Sequence, residues 1–336
     1  MPNIVVIGGS AGSTHALQAI LGALPPDFPA PVLIVTHIGA RESLLPGVLG
    51  RHAALPVRHA VQGELLAPGQ VLVAPPDLHL TISAAGERMY AQLSRGPKEN
   101  HARPAIDPLF RTAATACGAG AVAVLLSGFL DDGTVGLQAI KARGGFALVQ
   151  DPADADAPDM PASALAHVDV DAVLRADAIG AALQQLAART PPPPPGADAE
   201  AGLPAWIAIE NRMFAGDTDI ADMERLGAQV PSTCPECRGP LWEIGTHPPR
   251  YRCLTGHAFT GRVLDCLQHE AVDEAVWAAI RALYDQEQLF VRLQQAASRN
   301  RNAAPADEYR RKAEQAREHA QLLRDLLVTS ARIAPP

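Results

Sequence analysis

The sequence predicts an α/β fold, a doubly wound, mostly parallel sheet with an antiparallel edge hairpin, followed by a smaller cysteine-bearing and helical domain. Three observations predict it. Short, β-branched, nearly continuous apolar runs alternate with amphipathic stretches over the first 190 residues, the pattern of strands buried on both faces and linked by helices. Five consecutive prolines, Pro191 to Pro195, interrupt the chain and cannot join a helix or a central strand. Beyond them lie a cysteine cluster and two long Ala-, Leu- and Glu-rich segments.

The predicted strands are Ile4–Ile7, Val32–Thr36, Val71–Ala74, Ala121–Leu126 and Phe146–Gln150, and the predicted helices between them are Ser13–Leu24, Pro108–Cys117 and Gly133–Arg143. From Val57 to Leu93 the runs VRHAV, LHLTI and RMYAQL alternate in polarity, which fits an antiparallel hairpin at the sheet edge. The domains are then 1–190, a polyproline II spacer over 191–202, and 203–336. In the last, Leu203–Phe214 reads as a short helix. Val263–Ala297 and Ala306–Ile333 read as a helical hairpin, with Leu283, Leu289, Leu293, Leu322, Leu323, Leu326 and Leu327 forming apolar stripes. A coiled coil that binds a partner is the alternative use of those stripes.

Composition excludes several classes. The net charge of −8 is spread along the chain with no long basic run, which argues against nucleic-acid binding. Nothing resembles a signal peptide or a membrane span, so the expectation is a cytoplasmic protein whose five cysteines are thiols or metal ligands.

The opening run IVVIGGSAGS poses the functional question. A dinucleotide fingerprint fails, because Ser10 and Ser13 stand where its second and third glycines belong. No Gly-Lys-Ser/Thr follows for a P-loop either; a phosphate-ligand sensor rests only on the anion preference of a helix start. Gly8-Gly9-Ser10-Ala11-Gly12 does match G-x-S-x-G, a turn that exposes a nucleophilic serine beside free helix N–H groups; a structural serine capping the helix has the same signature. A nucleophile needs a base and an orienting acid. His37 ends the strand VLIVT, and Asp131 and Asp132 follow the strand AVAVLLS. Strands of one polarity bring all three ends to one rim, where open α/β sheets place their active sites. The order Ser, His, Asp differs from the α/β-hydrolase order.

These residues resemble the catalytic domain of the CheB family of chemotaxis protein-glutamate methylesterases. VVIGGSAGS, THIG, PGQVLVAPPDLHL, RPAIDPLF, LLSGFLDDGTVGLQAIKARGG and QDPADADAPDMPASAL carry the resemblance in family order over about residues 3–186. It implies a serine hydrolase of glutamate methyl esters on chemoreceptor-like proteins, with glutamine deamidation as a further activity. It implies Ser10 as nucleophile, His37 as base and Asp132, which precedes Gly133, as orienting acid, with main-chain N–H groups of Ala11 and Phe129 as oxyanion donors. The usual G-M-G-N-D-G is Gly128-Phe129-Leu130-Asp131-Asp132-Gly133 here, which predicts a bulkier, more charged rim. The family's His-Arg-Pro is Ala102-Arg103-Pro104, and its Gly-Gly after the serine is Gly12-Ser13. The first strand opens this sequence, so a stand-alone member without a phospho-receiver domain is expected. The competing class is a non-catalytic scaffold whose tail binds a partner.

Cys234, Cys237, Cys253 and His257 follow C-x2-C-x15-C-x3-H, the spacing of a closed, structural zinc site. A zinc ribbon over about 232–261 is therefore expected, with no metal in catalysis; Cys117 and Cys266 read as core. Such tails resemble those on stand-alone relatives. The expected partners are a methylated chemoreceptor and, through the C-terminal helices, a methyltransferase or response regulator.

Overall fold

All six residues of Ile4–Gly9 are buried, and their side chains alternate between two cores. The computed structural model describes residues 3–39, 41–86, 88–190, 204–217, 219–299 and 303–331. In chain order the elements are β1 (Ile4–Gly9), α1 (Ser13–Ala23), β2 (Val32–Thr36), α2 (Leu45–Gly50), β3 (Val57–His59), β4 (Val71–Val73), β5 (His79–Ala85), β6 (Arg88–Ser94), α3 (Ile106–Cys117), β7 (Ala121–Leu125), α4 (Thr134–Ala142), β8 (Phe146–Gln150), α5 (Asp159–His167), β9 (Ala172–Leu174) and α6 (Ala176–Ala187). Then come α7 (Ala205–Phe214), α8 (Ile220–Leu226), β10 (Ala228–Thr233), β11 (Pro240–Thr246), β12 (Pro249–Cys253), β13 (Ala258–Thr260), α9 (Gly261–Arg299) and α10 (Ala303–Ala331).

Seven strands form one sheet in the order β3-β4-β2-β1-β7-β8-β9, and every pairing in it is parallel. Ile4 and Val6 join Leu109, Phe110, Leu137 and Met160 from α3, α4 and α5 on one face. Val5 and Ile7 join Leu17, Leu21, Ile179 and Leu183 from α1 and α6 on the other. Each large apolar side chain so buried contributes about 1.5–3 kcal/mol. Burial on both faces is what makes these strands continuous in hydrophobicity rather than alternating.

The expected edge hairpin needs correcting. β5 and β6 are antiparallel but form a two-stranded sheet of their own, whose Leu80, Ile82, Met89 and Ala91 pack into the core beneath α3. VRHAV is not part of it: β3 pairs parallel with β4 in the main sheet. Period-2 polarity marks a half-exposed strand without naming its partner.

The expected spacer at 191–202 lies outside the described residues. The chain divides into compact units at Met1–Leu264 and Asp265–Pro336, so residues 204–264 fold with the sheet. There β10-β11-β12-β13 form a second, antiparallel sheet. In the second unit, Phe290 of α9 stacks on Tyr309 of α10 with centroids 6.4 Å apart, and Glu287 accepts from Arg317 at 3.0 Å. The leucine stripes split: Leu283, Leu293, Leu323 and Leu327 are half-buried, whereas Leu289, Leu322 and Leu326 are exposed. Cys266 is exposed, not core, while Cys117 is buried against Met89. Among the described residues no helix is long and apolar enough to cross a membrane.

Candidate active site

β1 is flanked by β2 and β7, so Ser10, His37 and Asp132, which come after these three strands, share the carboxyl rim of the sheet centre. Ser10 N–H donates to Ser127 O at 2.8 Å, extending the β1–β7 ladder by one residue. The chain then turns through Gly12 at φ 76°. A Cβ on Gly12 would lie 2.4 Å from Asp156 Cβ and 2.8 Å from Ser127 Oγ. The helix cap is Gly12, and no side chain caps α1; Ser13 Oγ donates to Ser10 O at 2.7 Å. Ser10 is half-buried, and its hydroxyl makes no hydrogen bond among the described residues, which is not the arrangement of a capping serine. Gly128 presses against it, since a Cβ there would fall 2.8 Å from Ser10 Cβ and 2.1 Å from Met160 Sδ.

His37 Nε2 lies 2.7 Å from Asp132 Oδ2. The ring is partly exposed and the carboxylate buried. Asp132 accepts four more hydrogen bonds: at Oδ2 from Ile106 N (2.7 Å), and at Oδ1 from Asn100 Nδ2 (2.9 Å), Gly133 N (3.0 Å) and Asp107 N (3.3 Å). Ile106 and Asp107 open α3, two residues earlier than the sequence predicts, and their free N–H groups point at the carboxylate. Burial works against the charge on Asp132. The hydrogen bond and charge of His37, with these donors, outweigh it and hold the carboxyl below its ordinary range. Asp107 is pushed well above its ordinary range by burial and then by the Asp132 charge. The two buried carboxyls are thus pushed in opposite directions.

With Nε2 paired to Asp132, Nδ1 of His37 makes no hydrogen bond among the described residues. The N–H groups of Ala11 and Phe129 have no hydrogen-bond partner among the described residues. Phe129 is 64% exposed, as a bulky rim residue would be. Asp131 is different from what the sequence suggests: it is buried, turns from the rim and accepts from Thr260 Oγ1 at 2.6 Å. Asn100 and Asp107 escape a reading of the sequence. Asp107 sits inside RPAIDPLF, where its partner Gly136 (2.6 Å) is invisible; Asn100 has no local signal at all.

Cys234, Cys237, Cys253 and His257 converge, with their ligand atoms all within 4.8 Å. Cys234 and Cys237 lie on the β10–β11 turn, Cys253 ends β12, and His257 precedes β13. Cys237 Sγ and Cys253 Sγ are 3.7 Å apart, and Cys253 Sγ is 3.5 Å from His257 Nδ1. Sulfurs bonded to one tetrahedral ion at about 2.3 Å stand about 3.8 Å apart, whereas a disulfide needs about 2.05 Å. The donors therefore fit a metal ion. The hydrogen bond from Cys234 pulls the Cys253 thiol down to about 3.

The sequence model of a family described as CheB methylesterase matches residues 5–183. A protein-glutamate methylesterase/protein-glutamine glutaminase 2 of Oleidesulfovibrio alaskensis is 38% identical over 181 residues, 54% of this chain and 51% of that protein. A putative protein-glutamate methylesterase/protein-glutamine glutaminase of Leptospira interrogans is 39% identical over 176 residues, 52% of this chain and 90% of its own. The crystal structure of the Thermotoga maritima CheB methylesterase catalytic domain superposes with a TM-score of 0.54 and 34% identity, covering 55% of this chain and 99% of that one. The chain spans about half the length of the first curated relatives it matches.

Proposed function

The chain belongs to the CheB methylesterase family, and from that membership we propose that it is a serine hydrolase cleaving glutamate methyl esters on a methylated, chemoreceptor-like protein. The observation that carries the reading is the 2.7 Å His37–Asp132 pair, which follows the strands either side of the one that precedes Ser10. In the reaction Ser10 Oγ attacks the ester carbonyl as His37 Nδ1 takes its proton. Asp132, fixed by its five donors, keeps the other ring proton on Nε2 and stabilises the imidazolium. Ala11 and Phe129 N–H donate to the oxyanion. The imidazolium protonates departing methanol, and a water activated by His37 then releases the glutamate. A glutamine side chain would take the same path with ammonia as leaving group, which agrees with the glutaminase half of the relatives' names.

We assign a zinc ion to Cys234, Cys237, Cys253 and His257. A zinc ion held by these four protein donors would supply fixed geometry to the β10–β13 sheet rather than chemistry, and we read residues 232–261 as a zinc ribbon. The chemistry belongs to residues 1–190, in a cytoplasmic protein. Residues 203–336 carry the ribbon and the helices, on which exposed Val272, Trp277, Leu322 and Leu326 support contact with a signalling partner such as a methyltransferase or response regulator.

The test is methanol release from methylated receptor fragments by the full chain. Turnover by wild type and its abolition in Ser10→Ala, with the fold unchanged by circular dichroism, is the expected result. Equal release by Ser10→Ala would sink the hydrolase reading and leave the scaffold.

A further inference from the structure

Between the hairpin and α3 the chain makes a tight turn over Glu99–Ala102, closed by Ala102 N–H donating to Glu99 O at 3.0 Å. Its two central residues, Asn100 (φ 51°) and His101 (φ 61°), are both left-handed, as a type I′ turn requires, and asparagine tolerates that conformation. The turn aims Asn100 inward. Nδ2 donates both to Asp132 Oδ1 at 2.9 Å and to Asp107 Oδ2 at 3.0 Å. One amide therefore bridges both buried carboxyls.

The other end of the same side chain is gripped by the second sheet. Asn100 Oδ1 accepts from Thr260 N at 3.1 Å, and Asn100 N–H donates to Ala258 O at 2.8 Å. Residues 98–100 run parallel to β13, with Glu99 paired to Ala258 and Ala258 N–H donating to Lys98 O at 3.3 Å. Below this seam Glu99 is fully buried between Arg111 of α3, which it accepts from twice at 2.8 Å, and Arg252 of β12, at 2.9 Å. His79 braces the segment further: its ring bonds Pro97 O at 3.0 Å and accepts from Ala105 N at 3.2 Å. Asn100 is thus held by contacts from β13 and the hairpin while it touches the acid of the triad.

We propose that Asn100 is a positioning residue of the hydrolase: it fixes the Asp132 carboxylate toward His37, and the β10–β13 sheet fixes Asn100. The inference rests on the hydrolase reading for its kinetic consequence but not for its geometric one. Without Nδ2, Asp132 Oδ1 keeps two main-chain donors and Oδ2 keeps Ile106 N–H, so the carboxylate is held less tightly and the line from Oδ2 to His37 Nε2 loosens.

Two variants test this. Asn100→Gly removes the side chain without straining the backbone, since glycine accepts the left-handed turn. Asn100→Asp keeps the shape and the acceptor for Thr260 N–H but exchanges the amide donor for a third carboxyl beside Asp132 and Asp107. Turnover and the downfield proton resonance of the His37 Nε2–H, assigned by its absence in His37→Gln, are measured on the full chain. The expected result in both variants is a fall in kcat of roughly tenfold or more, KM within about twofold, and a shift or loss of the resonance. A folded variant of either kind with wild-type kcat and an unmoved resonance overturns the proposal, as does a loss confined to KM. Should wild type hydrolyse no ester, the hydrolase reading falls, and the resonance alone still decides the role of Asn100.

Discussion

Asp132→Asn removes a charge while changing almost no volume, and its effect is set by the hydrogen bonds around Asp132. The wild-type carboxylate accepts three donors at Oδ1 and two at Oδ2. An asparagine has one oxygen, so the amide seats it where three donors meet and turns its NH2 toward His37 and Ile106 N–H. Ile106 then faces a donor with a donor, costing about 1–3 kcal/mol of stability. His37 has to accept at Nε2, which moves its proton to Nδ1, the nitrogen that would have taken the proton of Ser10. Wrong-tautomer substitutions of this kind lower kcat by roughly 10³–10⁴, or about 4–5 kcal/mol of barrier. The assay is steady-state hydrolysis of p-nitrophenyl acetate and methanol release, with Asp131→Asn alongside. Asp131 faces Thr260 rather than His37, so its variant should stay near wild type. If Asp132→Asn keeps more than about a tenth of wild-type kcat, or if Asp131→Asn suffers the larger loss, the assignment of the acid is wrong.

The buried charges and the thiols carry two further expected outcomes. Glu99 and Glu210 are held below the ordinary carboxylate range: burial opposes their charge, but Arg111 and Arg252 beside Glu99, and Arg250 and Arg252 beside Glu210, outweigh it. Groups depressed on folding contribute stability that is complete above the unfolded value of about 4.3 and is lost as pH falls through the folded one. Melting temperature should therefore decline below about pH 4. Glu99→Gln should flatten that decline while lowering stability at neutral pH by roughly 3–5 kcal/mol; an unchanged thermal-melting profile would contradict the lattice. Reduced protein should carry about one zinc per chain. Chelation, or Cys253→Ser, should release it and speed amide exchange over 228–260 while β1 and β7 stay protected. Protein without zinc, or with exchange unaffected by its removal, would refute the ribbon.

The features legible in the sequence are those that are local or fixed by strand polarity. Ser10, His37 and Asp132 can be placed at one rim because each comes after a doubly buried apolar run, and parallel strands end on one side. The cysteine spacing is likewise local. The features it hides depend on partners far along the chain. Asn100 meets Thr260 across 160 positions, and nothing in KENHARP announces either the left-handed turn or the carboxyls it bridges. Glu99, Arg111, Glu210 and Arg252 read as ordinary surface charges until their segments are brought together. β3 reads as part of the wrong sheet because its alternation reports exposure and not neighbour. Asp131 looks like a rim charge because it adjoins Asp132, although consecutive residues in a turn can face opposite ways.

The charge lattice behind Asn100 also constrains how this chain can change over time. Glu99, Arg111, Glu210 and Arg252 are almost wholly buried, and each arginine reaches both carboxylates. Neutralising either glutamate leaves buried guanidinium charge without its partner, a loss of roughly 3–5 kcal/mol and a large part of a typical domain's net stability, whereas Arg250, 2.6 Å from Glu210, softens the loss of either arginine. Single steps away from either glutamate are therefore costly, and a compensated route alters an acid and a base together, as at Glu99 and Arg111, 12 positions apart, or at Glu210 and Arg252, 42 apart. Arg111 reaches Glu210 and Arg252 reaches Glu99 across the two segments, so grafting residues 204–264 onto a relative would require Glu99 and Arg111 to be present there.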